Sequence, residues 1–129
     1  MKVLYPEHNR SEIQQKLTQL TDNDYAVVCF CAAWCRTCDG FKQQLEQVAQ
    51  RYPQHIFIWV DVEEHEDLLI DEDIEDFPTL LIQNKKGTIF YGPLLPFAQH
   101  LERLLDQAAA QPRYRDPVPA FVDLIIASA

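Results

Sequence analysis

A chain of 129 residues with 47% hydrophobic content can bury one core and falls short of two ordinary domains. Its net charge of −9, from 20 acidic against 11 basic side chains, leaves no basic groove able to track phosphates, which excludes general nucleic-acid binding. No stretch is apolar for long enough to act as a signal peptide or to span a bilayer, so a cytoplasmic protein with no membrane partner is expected.

Taken in chain order, residues 2–4 read as a short first strand and 11–20 as a helix, with Ile13, Leu17 and Leu20 at helical spacing. Residues 25–33 form an apolar run suited to a buried strand. From 35 to 52, Cys38, Phe41, Leu45, Val48 and Tyr52 recur on one face of a long helix that Pro53 ends. A strand follows over 55–62. Residues 63–76 then hold nine acidic side chains and no Lys or Arg, so the whole negative excess sits in one segment. That segment reads first as a solvated loop with a helical turn or two around 67–70, and second as a steering surface for a basic partner. Residues 79–83 and 88–91 flank the hairpin turn Asn84-Lys85-Lys86-Gly87. The last clear helix is 97–110, with Leu101, Leu104, Leu105 and Ala108 inward; Pro112, Pro117 and Pro119 separate it from the apolar run Phe121, Val122, Leu124, Ile125 and Ile126. Strands separated by helices imply an α/β domain over 1–110, a central mixed β-sheet with helices on both faces. The extension 111–129 is expected to pack on that domain.

The chemistry lies in Trp34-Cys35-Arg36-Thr37-Cys38, at the corner between the buried strand and the long helix. Two thiols three positions apart in a first helical turn can close a disulfide, and the unpaired N–H groups there favour a thiolate. Cys38 shares the stripe of Phe41 and Leu45 and should face the core. Cys35 sits at the helix start, exposed, with Arg36 adding a cation beside it. Cys35 is therefore the expected attacking thiol and Cys38 the resolving one, leaving a Cys35–Cys38 bond when a substrate is reduced.

The segment Val27-Val28-Cys29-Phe30-Cys31-Ala32-Ala33-Trp34-Cys35-Arg36-Thr37-Cys38 resembles the second strand and active site of the thioredoxin family, and Phe77-Pro78-Thr79-Leu80 resembles its proline loop. The resemblance covers roughly residues 12–110 and implies a thioredoxin fold. It implies further that Pro78 follows a cis peptide bond beside the dithiol, that the backbone at Phe77 pairs with an extended substrate segment, and that Trp34 lies on the exposed rim by the nucleophile. This chain departs from the family in several places. Cys29 replaces a buried Asp that helps deprotonate the resolving thiol, and Trp59 replaces the Lys paired with that Asp. Arg36-Thr37 stand for the usual Gly-Pro, Cys31 for a Trp, and Gln43 for a helix-kinking Pro. Without the buried base, water, a neighbouring thiol or its own surroundings must activate Cys38.

Cys29 and Cys31, two apart on a strand, point to one face and complete the pattern Cys-x-Cys-x3-Cys-x2-Cys. Three readings stand: small buried hydrophobes, auxiliary thiols exchanging with Cys38, or two ligands of a four-thiolate metal site. His8, His55, His65 and His100 show no ligand spacing.

The expected function is an enzyme, a thiol-disulfide oxidoreductase that reduces a restricted set of protein disulfides through Cys35 and Cys38, without cofactor or metal. Its partners are then protein disulfides and a thioredoxin-reductase-type electron donor. The alternatives are a thioredoxin-fold interaction module with a sensing or vestigial dithiol, and a thiolate metal-binding protein.

Overall fold

The apolar run at the second predicted strand becomes β1 (Ala26–Cys31), buried along its whole length. Such a strand needs cover on both faces and a neighbour on both edges. It lies between β2 (Ile56–Asp61), parallel to it, and β3 (Thr79–Asn84), antiparallel; β3 continues through a hairpin into β4 (Gly87–Pro93). The sheet is mixed, in the order β2-β1-β3-β4. This computed structural model describes residues 3–70, 74, 76–115 and 118–127.

Alternation along β1 divides the core into two layers. Val27, Cys29 and Cys31 face α2 (Arg36–Arg51) and α3 (Ala98–Ala110), where Phe41, Leu45, Leu101 and Leu105 close over them. Ala26, Val28 and Phe30 face α1 (Pro6–Thr18) and the C-terminal α4 (Phe121–Ala127), meeting Ile13, Leu17, Phe121 and Ile125. The period of two in the strand and the helical stripes thus meet as binary patterning requires.

Residues 3 and 4 reach β2 through one parallel bridge, Leu4 with Ile58, in which the Leu4 N–H donates to Phe57 O at 2.8 Å and the Trp59 N–H to Leu4 O at 2.9 Å. Lys2, the first residue of the expected strand, is outside the described residues, as are Asp71, Glu72, Asp73 and Glu75 of the acidic segment and Pro117 of the extension. Of that acidic segment, Glu66–Leu68 forms a single 3₁₀ turn with Leu68 buried. Helix α1 starts five residues earlier than its apolar spacing predicts. Pro6, whose fixed φ suits a first helical turn, opens it, and the backbone departs from helix at Asn9, whose side-chain carbonyl accepts the Tyr5 N–H at 3.0 Å.

The hairpin is drawn tight by Asn84, whose Oδ1 accepts the N–H groups of Lys86 (2.8 Å) and Gly87 (3.1 Å). Beyond α3 the chain returns across the sheet. The buried Gln83 accepts the Phe121 N–H on Oε1 and donates from Nε2 to Pro119 O, both at 3.0 Å, so the extension is tied to β3 through one amide. Phe121 meets Phe30 edge-on at 6.4 Å.

Candidate active site

β1 ends at Cys31, and three residues carry the chain out of the core to Cys35, the N-cap of α2. The turn is held by the Cys35 N–H donating to Ala32 O at 3.0 Å, and the helix begins with the Asp39 N–H donating to Cys35 O at 3.2 Å. The Cys35 side chain makes no capping hydrogen bond, so its sulfur is not committed to the helix. It is half-buried, with Arg36 and Thr37 exposed beside it. Cys38, one turn on, points inward and is buried with Phe41 and Leu45, as its place on the apolar stripe predicts.

The pairing of sulfurs differs from the Cys35–Cys38 bond expected from sequence. Cys38 is bonded to Cys31, with Cα atoms 5.9 Å apart, while Cys35 and Cys29 are free thiols. The reason is placement. Cys31 and Cys38 both lie within the layer between β1 and α2 and are 1% exposed, whereas Cys35 is half-buried and packs against that layer from the N-cap of α2. A Cα separation of this size is ordinary for a disulfide. Cys29 lies behind Cys31 on the same face of β1, their sulfurs 3.7 Å apart. Burial pushes the Cys29 thiol far up, so it stays protonated and is the donor in that contact. With two of the four sulfurs bonded to one another, the cysteines do not form a four-thiolate site in this state.

Trp59 neighbours Cys29 across the β1–β2 register and packs in the same cluster, with the Lys42 ammonium 5.4 Å from its ring centroid. Apolar and thiol groups thus fill the space where the family carries its buried ion pair.

The proline loop faces the cysteine corner. The Phe77–Pro78 peptide is cis, and β3 begins at the next residue. β3 runs antiparallel to β1 with Thr79 opposite Phe30 as the last pair, so the proline loop joins the sheet at the end of β1 that leads to the cysteines. The loop is fixed by the Leu94 N–H donating to Pro78 O at 3.1 Å and by the Thr79 hydroxyl donating to Asp76 O at 2.5 Å. Trp34, 69% exposed, meets the half-buried Phe77 edge-on at 5.7 Å. Trp34 and Phe77 thus meet at the surface next to Cys35 in the chain, while Cys31, Cys38 and Pro78 are buried.

Sequence reasoning gave Cys31 no single role, and the alternation of Cys29 and Cys31 on one strand face was the signal that pointed to it. Away from this corner, Glu7, Glu64 and His65 each offer one ligand atom within 4.8 Å of the others, and His65 Nε2 is 3.2 Å from Glu7 Oε1.

The sequence model of the thioredoxin family matches residues 5–93, which take in all four strands, the cysteine corner and the proline loop. A putative thioredoxin 2 of Streptomyces coelicolor is 32% identical over 74 residues, 57% of this chain and 55% of that protein. The chain spans about half the length of the curated relatives it matches. The oxidised thioredoxin of Plasmodium falciparum superposes with a TM-score of 0.60 at 25% identity, over 77% of this chain and 91% of the other. A thioredoxin from Nicotiana alata does so with a TM-score of 0.65 at 21% identity, over 87% and 94%, a likeness of fold alone. Since the family match covers well over half of the chain and thioredoxin structures superpose on its fold, this protein belongs to the thioredoxin family.

Proposed function

We propose that this protein is a thiol-disulfide oxidoreductase that reduces protein disulfides, with Cys35 as the attacking thiol and Cys38 as the resolving thiol. One observation carries the reading: Cys35 is a free, half-exposed thiol at the uncapped N-terminus of a 16-residue helix, with a second cysteine buried one turn further on. The sulfur makes no capping hydrogen bond to that turn and so is available to a substrate disulfide. In the reaction, the Cys35 thiolate attacks one sulfur of a substrate disulfide, forming a mixed disulfide and expelling the other substrate sulfur as a thiolate. The Cys38 thiolate then attacks the Cys35 sulfur and releases the second substrate thiolate. Trp34 and Phe77 give the incoming segment an apolar edge, and Pro78 and Thr79 shape the loop it meets. Cycling requires an electron donor of the thioredoxin-reductase type, and a cytoplasmic setting suits a dithiol that must be kept reduced.

Reduction of insulin with a small-thiol electron source tests this reading. The wild type should shorten the lag before the insulin B chain precipitates. Cys35→Ser should fall to the background of the small thiol alone. Wild-type kinetics at background would instead leave the fold as an interaction module.

A further inference from the structure

The bond between Cys31 and Cys38 places an oxidised cysteine pair in the core while the half-buried Cys35 remains a free thiol. In the cycle proposed above, the disulfide first forms between Cys35 and Cys38. Cys38 is then the sulfur shared by both pairs, and Cys31 can reach it: their Cα atoms are 5.9 Å apart, both side chains face the α2 layer, and neither needs to leave the core. We propose that Cys31 is a third redox-active cysteine, which takes the disulfide over from Cys35 and stores it as Cys31–Cys38. The inference rests on the oxidoreductase reading.

The exchange is an isomerisation. The Cys31 thiolate attacks the Cys38 sulfur of the Cys35–Cys38 bond, a Cys31–Cys38 bond forms, and Cys35 leaves as a thiolate. One disulfide is present before and after, so no oxidant or reductant enters; the proton lost by Cys31 is balanced by the one the departing Cys35 thiolate takes up. The departing Cys35 sulfur is half-buried at the N-cap of α2, while Cys31 and Cys38 stay together in the core. Cys29 assists from behind. Its sulfur lies 3.7 Å from that of Cys31 and carries a proton, so it can donate a weak hydrogen bond to Cys31 when that sulfur is the thiolate. Cys29 takes no part in the bond itself: Cys38 is bonded to Cys31, and Cys29 remains a free thiol behind it.

The consequence is functional. Once the disulfide rests on Cys31 and Cys38, Cys35 is again a free thiol, but Cys38 can no longer resolve what Cys35 attacks. A second substrate disulfide is then captured as a mixed disulfide and held until the buried pair is reduced. The protein reduces one disulfide in its reduced state and retains a partner covalently in its oxidised state.

The test begins with fully reduced protein and one equivalent of a two-chain peptide disulfide. After acid quenching, free thiols are alkylated under denaturing conditions and the bonds are mapped. Trypsin cuts after Arg36 and so separates Cys38 from Cys29, Cys31 and Cys35. Fragment ions across Ala32, Ala33 and Trp34 then tell a Cys31–Cys38 link from a Cys35–Cys38 link. The expected map shows Cys31 linked to Cys38 and Cys35 alkylated. A second equivalent of peptide disulfide should add one peptide to Cys35 in the wild type and none in Cys31→Ala, where Cys35 stays bonded to Cys38. Cys31→Ser repeats the comparison should the alanine variant fold poorly, and the wild-type map decides without either. Release of peptide thiol with only Cys35–Cys38 found, and Cys31 alkylated, would overturn the proposal and leave the oxidoreductase reading standing. No release of peptide thiol at all would overturn that reading and the proposal with it.

Discussion

Cys29 is a thiol at a position where the family carries a carboxylate, and its surroundings explain why a carboxylate would not be tolerated. It is fully buried between Cys31 and Trp59, with no cation on the neighbouring strand position. Replacing it by Asp places an unpaired acid in the core, and we expect Cys29→Asp to lose about 3 kcal/mol of stability at neutral pH in urea unfolding. The buried acid has its pKa raised above the unfolded ~3.9, so the deficit should grow as pH rises from that value. An unchanged urea midpoint would show that the site is wetter than described. His55 gives a second expectation, of opposite sign in pH. Its Nδ1 accepts the Tyr25 N–H at 3.0 Å, and burial lowers its pKa, with Asp24 opposing weakly. The fold therefore binds the neutral ring. The stability this contributes is complete above the unfolded value of ~6.5 and falls as pH drops through it toward the lower folded pKa. Urea midpoints at neutral and mildly acidic pH should fall further for the wild type than for His55→Gln, and equal falls would contradict the assignment.

At the scale of elements, the cysteine helix was legible because its signal is periodic. Phe41, Leu45 and Val48 recur every three or four residues, and all three are buried where that spacing places them. Leu45→Ala should cost about 2 to 5 kcal/mol by urea unfolding, against at most about 0.5 for the exposed Gln43→Ala. Equal costs would mean that α2 does not sit on the sheet by that face. The hairpin was legible for another reason, the turn chemistry of Asn84 and Gly87. Where periodicity fails, so does the reading. Residues 7–10 are polar or charged and hide the first turns of α1, which Pro6 and Asn9 shape instead. The sulfur pairing was not legible either. Spacing shows that Cys35 and Cys38 can meet, and alternation shows that Cys29 and Cys31 share a face, but which sulfur Cys38 touches depends on how α2 lies against the end of β1. That is a tertiary distance, and no local pattern encodes it.

At the scale of the molecule, the chain beyond α3 completes the layer over one sheet face, since Phe121 and Ile125 fill the cluster built by α1, β1 and β2. Phe121→Ala should therefore lower stability by about 3 to 5 kcal/mol in urea unfolding. A loss below about 0.5 kcal/mol would show that α4 does not dock there. The proposed function turns on one claim, that the half-buried Cys35 makes the first covalent contact with a substrate. The most direct measurement is the point of attachment when reduced Cys38→Ser protein meets a disulfide-bonded peptide, read by mass spectrometry after digestion. One peptide attached at Cys35 is the predicted result. Attachment at Cys29 or Cys31, or none while the wild type reduces the same peptide, would contradict it.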